Sequence, residues 1–247
     1  MIEYPIEKFC PGISVDCVVF GFEDGALKVL LLKWKKLDLW ALPGGHIYKD
    51  ENIDQASLRV LNERTGLEKV FLNQFKTFGE VDRIENDIMK PFVDASIVAP
   101  QLKYWFQQRF VTIGYLALIN IKEAKLTKDH LSDDIGWKSI HELPELVFDH
   151  KHIIQAALDD LKVQLNYLPI GINLLSEKFT MNELQKLYEN ILDRDLDRAN
   201  FQKKILKLDV LERLEKKNTG KAHKAPYLYR FAIKKYLDRL NQGIGFH

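Results

Sequence analysis

From Val15 to Phe22 the chain reads VDCVVFGF, and from Leu27 to Leu32 it reads LKVLLL, with Glu23-Asp24-Gly25 between. Short runs rich in β-branched and aromatic residues predict two strands, and the Asp-Gly pair predicts the hairpin turn joining them. Leu42-Pro43-Gly44-Gly45 breaks the pattern. Beyond it the period lengthens: Asp54 to Thr65 predicts a helix, with Gly66 as its C-cap. Phe110–Ile119 (FVTIGYLALI) predicts another strand and Ile153–Val163 another helix. Strands and helices mixed in this way imply α/β or α+β packing over residues 1–160.

Residues 86–107 fit none of these elements and read as an insertion. They hold Pro91, Pro100 and the exposed-type aromatics Phe92, Tyr104, Trp105 and Phe106. A loop of that length serves as a lid, an interface or a tolerated surface insertion. A domain boundary is expected near Tyr167-Leu168-Pro169-Ile170-Gly171, where Pro and Gly interrupt the helical pattern.

After that boundary the periodicity is helical again. Thr180 and Glu183 have the spacing of a capping box. Leu184, Leu187, Tyr188, Ile191 and Leu192 then form one apolar stripe. Asp193–Leu196 predicts a turn, and Asp197 the N-cap of a second helix with Phe201, Ile205 and Leu208 on its packed side. On another side Asn200, Lys203, Lys204 and Lys207 fall within an arc of about 100°. Leu211–Arg213 predicts a strand, 216–224 (KKNTGKAHK) a basic loop, and Tyr227–Phe231 a returning strand. Helix, turn, helix, strand, basic loop, strand is the order of a winged helix. One face of its second helix offers Lys to phosphates and Asn to a base edge. Arg198, Asn200, Lys203, Lys204 and Lys207 on that helix, with Lys217, Lys221, His223 and Lys224 in the wing, are the candidate DNA contacts.

Charge strengthens this reading. Residues 1–165 carry 20 Lys+Arg against 25 Asp+Glu, while residues 166–247 carry 16 against 10. Between Arg198 and Arg239 the balance is 13 to 4. A basic block on an acidic body points to a polyanionic partner, although a solvated charged face has the same composition. No apolar run approaches the roughly 20 residues a membrane span needs, and the N-terminus lacks a signal-peptide pattern. Cys10 and Cys17 support neither a disulfide framework nor a zinc site and are expected as reduced cytosolic thiols.

The remaining motif is Gly45 to Leu67. Gly45, Glu51, Arg59, Leu61, Glu63, Gly66 and Leu67 keep the spacing of the Nudix box, which this segment resembles, and Leu42-Pro43-Gly44 precedes it as in that family. Two positions depart from it: Val60 and Arg64 stand where the family has carboxylates. Residues 60, 63 and 64 share one helix face. There the family's carboxylates hold Mg²⁺ against a pyrophosphate, and magnesium requires hard oxygen ligands. An aliphatic and a cationic side chain provide none, so no metal, no cofactor and no hydrolase activity of the usual kind are expected. Glu51 and Arg59 are expected to fix the loop to the helix. Glu63 is a leftover ligand, an acceptor for a ligand hydroxyl, or a surface acid. His46, Glu63 and Arg109 are the candidate effector-binding residues, chosen by position relative to the box. Phe148-Asp149-His150 resembles the segment that ends the Nudix domain in a regulator subfamily, with His150 expected to pack or cap a helix rather than to catalyse.

Taken together, the two halves resemble the NrtR-type Nudix-related transcriptional regulators over roughly residues 10–235. The resemblance implies an α+β chain: a Nudix α/β/α sandwich in residues 1–165, then a winged helix-turn-helix domain in residues 166–247. It also implies a cytoplasmic homodimer that binds a double-stranded DNA operator as a repressor and senses a sugar or an ADP-ribose-like effector. The box variant RVLNERTGL and the segment 169–175 (PIGINLL) are most similar to the branch that responds to L-arabinose. The alternative is a hydrolase of ADP-ribose or nucleoside diphosphate sugars that draws carboxylates from Glu80, Asp82 or Glu85. An RNA-binding Nudix protein is a third reading.

Overall fold

The computed structural model describes residues 5–81, 83, 89–97, 99, 102–165, 171–217 and 225–242, the last four by backbone alone. It divides into two compact units. One holds residues 1–21, 28–118 and 123–157; the other holds 22–27, 119–122 and 158–247.

β1 (Phe9–Glu23) and β2 (Ala26–Trp34) are joined by the expected turn. Asp24 and Gly25 both take positive φ, 53° and 78°, the handedness that matches strand twist in a two-residue hairpin. β1 starts earlier than its Val-rich run, and residues 15–22 are buried without interruption. β3 (Trp40–Ala41), β4 (Gly44–Tyr48), α1 (Ile53–Thr65) and β5 (Asn73–Phe78) follow. Then come the short helices α2 (Lys90–Asp94) and α3 (Lys103–Phe106), β6 (Val111–Ile119), β7 (Ser132–Ser139) and α4 (His150–Gln164). Among the described residues the strands form a seven-stranded sheet in the order β3-β2-β1-β6-β5, with β4 also paired to β1 and β7 to β2. Adjacent side chains of a strand point to opposite faces. Cys17 Sγ donates to the Ser57 carbonyl of α1 (3.8 Å), whereas Asp16 faces His150 at the start of α4. The sheet is therefore sandwiched between α1 and α4.

Residues 89–97 do not form a free surface loop. Met89, Phe92 and Ile97 are buried in one cluster with Ala41 and Val147, and Trp34, Phe106 and Phe148 pack against it. Phe92, exposed-type by its sequence context, is only 1% exposed, while Tyr104 is exposed as expected.

In the second unit, β8 (Phe179–Thr180) leads into α5 (Met181–Leu192). Thr180 and Glu183 cap each other's backbone as their spacing predicted. Leu184, Leu187, Tyr188 and Ile191 are buried and Leu192 is half-buried. Asp193 ends α5 in the left-handed conformation, and Asp197 caps α6 (Arg198–Lys207) by accepting from the Asn200 amide at 2.8 Å. Phe201 and Ile205 are the buried side of α6. β9 (Leu211–Lys216) and β10 (Tyr227–Phe231) complete an antiparallel sheet in the order β8-β10-β9, and α7 (Ile233–Gln242) follows. Among the described residues no helix is long and apolar enough to cross a membrane. The expected boundary residues Tyr167, Leu168, Pro169 and Ile170 lie outside the described residues.

Candidate functional site

The loop between β4 and α1 is organised by Glu51. Its carboxylate accepts from the Tyr48 amide (2.8 Å) and from Arg59 Nε (2.9 Å). Arg59 donates in addition to the His46 carbonyl (2.8 Å), and its guanidinium lies 4.1 Å from the centre of the Tyr48 ring. The guanidinium of Arg59 holds the Glu51 carboxyl below the usual carboxylate range. Helix α1 starts one residue earlier than predicted because Asn52 and Gln55 form a capping box. Gly66 closes the helix at φ 72°, where its amide donates to the Asn62 carbonyl at 2.7 Å.

The residues at the metal-binding positions of the box do not fit a metal. Val60 is buried against Gly45, where even a Cβ would meet Val60 Cγ2 at 2.9 Å. Arg64 is turned inward and forms an ion pair with Asp129, from the loop before β7; the two side chains are 10% and 7% exposed. Glu63, the remaining carboxylate, is half-exposed and accepts from Arg59 Nη1 at 2.9 Å. An aliphatic group and a guanidinium stand where hard oxygen ligands are required. Of the carboxylates outside the box helix, Glu80 is exposed and does not line the cavity, and Asp82 and Glu85 lie outside the described residues.

A cavity of about 530 Å³ nevertheless lies over this helix. His46 and Glu63 line it; Arg109 does not. Arg109 is exposed, and its guanidinium donates to the Gly79 carbonyl instead. The arginine on the wall is Arg83, which holds both Asp149 oxygens (2.9 and 2.8 Å) and the Phe110 carbonyl (2.8 Å). A charged residue in a polar stretch gives no sequence signal for a partner 66 positions away. Met89, Phe92, Ile97, Leu102 and Phe106 bring the 86–107 segment onto the wall.

Two histidines face this cavity as neutral rings. His46 sits among Phe9, Trp105, Phe106 and Phe110, at ring separations of 4.5–5.9 Å. Desolvation by these rings pulls its pKa down to about 3. His150 accepts the Leu42 amide at Nδ1 (2.9 Å), so its proton resides on Nε2, 3.5 Å from Asp16 Oδ1. Burial lowers the His150 pKa despite that carboxylate. Asp16 is itself fixed by the Thr112 hydroxyl at 2.7 Å. His150 thus packs at the start of α4 and anchors the Leu42 backbone.

On the winged helix, Arg198, Asn200, Lys203, Lys204 and Lys207 are all exposed along α6. Lys217 is exposed at the base of the wing, 3.4 Å from Glu183. Lys221, His223 and Lys224 lie outside the described residues.

Residues 11–157 match the NUDIX domain, and residues 171–231 match the NrtR DNA-binding winged helix domain. The ADPR responsive transcriptional repressor NtrR of Acinetobacter baylyi is 30% identical over 234 residues, covering 92% of this chain and 84% of that protein. The chain belongs to the NrtR family of Nudix-related transcriptional regulators. Its architecture follows the family's: the crystal structure of Shewanella oneidensis NrtR complexed with a 27mer DNA is similar at TM-score 0.69 and 26% identity, covering 91% of this chain and 95% of that one. A MutT/nudix family protein from Enterococcus faecalis shares the fold at TM-score 0.65 and 23% identity, over 94% of this chain and 88% of that one. As an NrtR-type protein the chain is a DNA-binding transcription regulator with a Nudix domain.

Proposed function

We propose that this regulator is a homodimeric, cytoplasmic repressor that binds an operator through α6 and the wing, and that an ADP-ribose-class effector in the Nudix cavity alters DNA affinity. Residues 1–165 are the sensing domain in this reading and residues 166–247 the DNA-binding domain. Arg198, Lys203, Lys204, Lys207, Lys217, Lys221, His223 and Lys224 serve the phosphate backbone, and Asn200 a base edge. The effector is bound without metal and is not hydrolysed. The observation that carries this is the Arg64–Asp129 pair beside Val60: the metal-ligand positions are rebuilt, yet a cavity suited to a nucleotide-sized ligand remains.

ADP-ribose is favoured over L-arabinose for two reasons. The relative from Acinetobacter baylyi is an ADPR responsive repressor. A cavity of about 530 Å³ with walls from both the box helix and the 89–106 segment is also roomier than a lone pentose needs. The box variant and the 169–175 segment are what favour the arabinose reading. Coupling of effector to DNA is linkage: the ligand prefers one arrangement of the dimer and so resets the spacing of the two recognition helices.

Calorimetric titration of metal-free protein with ADP-ribose tests the effector. Incubation with ADP-ribose and Mg²⁺, assayed for AMP, tests the loss of hydrolysis. Saturable binding with intact ADP-ribose supports the proposal; steady release of AMP restores the hydrolase reading.

A further inference from the structure

The cavity wall contains two buried polar atoms that have no hydrogen-bond partner among the described residues. Asp129 uses Oδ2 for Arg64, while its Oδ1 is buried and has no hydrogen-bond partner among the described residues. Trp34 Nε1 is buried in the same state. The two groups are neighbours of one guanidinium: Arg64 Cζ lies 5.3 Å from the centre of the Trp34 ring and its Nη1 is paired with Asp129. The backbone fixes both. Lys35, next to Trp34, donates its amide to the Leu131 carbonyl (2.9 Å), and the Trp34 ring stands edge-on to Phe92 at 5.0 Å. Trp34, Arg64, Phe92 and Asp129 all line the cavity.

Buried polar groups are almost always paired, and a buried indole N–H and a buried carboxylate oxygen that both neighbour the Arg64 guanidinium call for a ligand that meets both. The indole can only donate and the carboxylate oxygen can only accept. A hydroxyl meets both demands with one atom, since it donates its proton and accepts at its lone pairs. A phosphate oxygen meets only the first, and the carboxylate repels its charge. We propose that Trp34 Nε1 and Asp129 Oδ1 form a sugar-hydroxyl subsite, with Arg64 as the positioning residue that holds Asp129 in place. This rests on the cavity being the effector site. It assigns the exchanged box residue Arg64 a role: the helix position that serves a metal in hydrolases here orients an acceptor for the ligand. The hydroxyl can belong to the ribose of a nucleotide or to a free pentose.

The test is calorimetric titration of the full chain, without metal, with ADP-ribose and separately with L-arabinose. Unmodified protein is compared with Trp34→Phe and Asp129→Asn. Trp34→Phe removes the N–H while keeping a ring against Phe92, so it remains informative where Asp129→Asn disturbs the ion pair. For whichever ligand the unmodified chain binds, Trp34→Phe is expected to weaken affinity about tenfold, as for the loss of one hydrogen bond. A loss seen with ADP-ribose assigns the subsite to a nucleotide ribose; a loss seen with L-arabinose assigns it to a free pentose. Equal affinity of unmodified and Trp34→Phe protein overturns the subsite and leaves the effector reading standing. An unmodified chain that binds neither ligand overturns both.

Discussion

Arg64 and Asp129 form an ion pair 65 residues apart in sequence, in which both side chains are about nine-tenths buried. Removing one partner of such a pair leaves an uncompensated charge in a poorly solvated place. Arg64→Ala is expected to destabilise the protein by about 3–5 kcal/mol. Replacing both residues with apolar ones of similar volume is expected to cost far less. Urea denaturation of the two variants reads the difference, and equal losses contradict the account.

Val60 and Gly45 are a packing pair. A Cβ at residue 45 meets Val60 Cγ2 at 2.9 Å, so Gly45→Ala is expected to destabilise by about 1–3 kcal/mol through overpacking. In a Val60→Ala background the same substitution is expected to cost much less, because the clashing methyl groups are gone. A double-mutant cycle of melting curves with a coupling energy near zero argues against this contact.

The structure makes clear why part of this was legible in the chain and part was not. The Asp24-Gly25 turn, the Gly66 cap and the Thr180–Glu183 box are local chemistry, and each was readable from a few adjacent residues. The pairing of Glu51 with Arg59 was implied by the resemblance to the Nudix box. Strands β5 and β7 were not readable, because NQFKTF and SDDIGWKS lack an alternating apolar pattern and are held by neighbours β6 and β2. The helices at 90–94 and 103–106 take their place from a cluster with Ala41 and Val147, a long-range packing fact. Arg109, chosen by its position relative to the box, does not line the cavity whereas Arg83 does, and no short-range feature tells which of two arginines faces inward.

The neutral, enclosed histidines make stability pH-dependent. His46 titrates near 6.5 when unfolded and near 3 when folded, so between those values the unfolded chain binds the extra proton. Its contribution is fully present above about pH 6.5 and falls away as the pH drops towards 3; His150 acts in the same direction. Denaturation midpoints measured from pH 7 to pH 4 are expected to decline, with a shallower slope in His46→Phe. A slope unchanged by that substitution speaks against the enclosure of His46.

On α6, single substitutions of Lys203, Lys204 or Lys207 by Ala are expected to weaken binding across DNA sequences. Each is expected to reduce the slope of log affinity against log salt by about 1. Asn200→Ala is instead expected to relax sequence preference with little change in salt slope. Salt titrations on operator and unrelated duplexes separate these outcomes, and a lysine variant with an unaltered slope removes that residue from the phosphate interface.

The cavity over α1, where Val60 and Arg64 replace the box carboxylates, is proposed to control DNA affinity. The most direct test of this control is fluorescence anisotropy of the full chain on a labelled duplex selected for tight binding, in metal-free buffer, with and without saturating ADP-ribose. The account predicts salt-dependent binding that ADP-ribose weakens by about tenfold or more. DNA affinity that ADP-ribose leaves unchanged would contradict it.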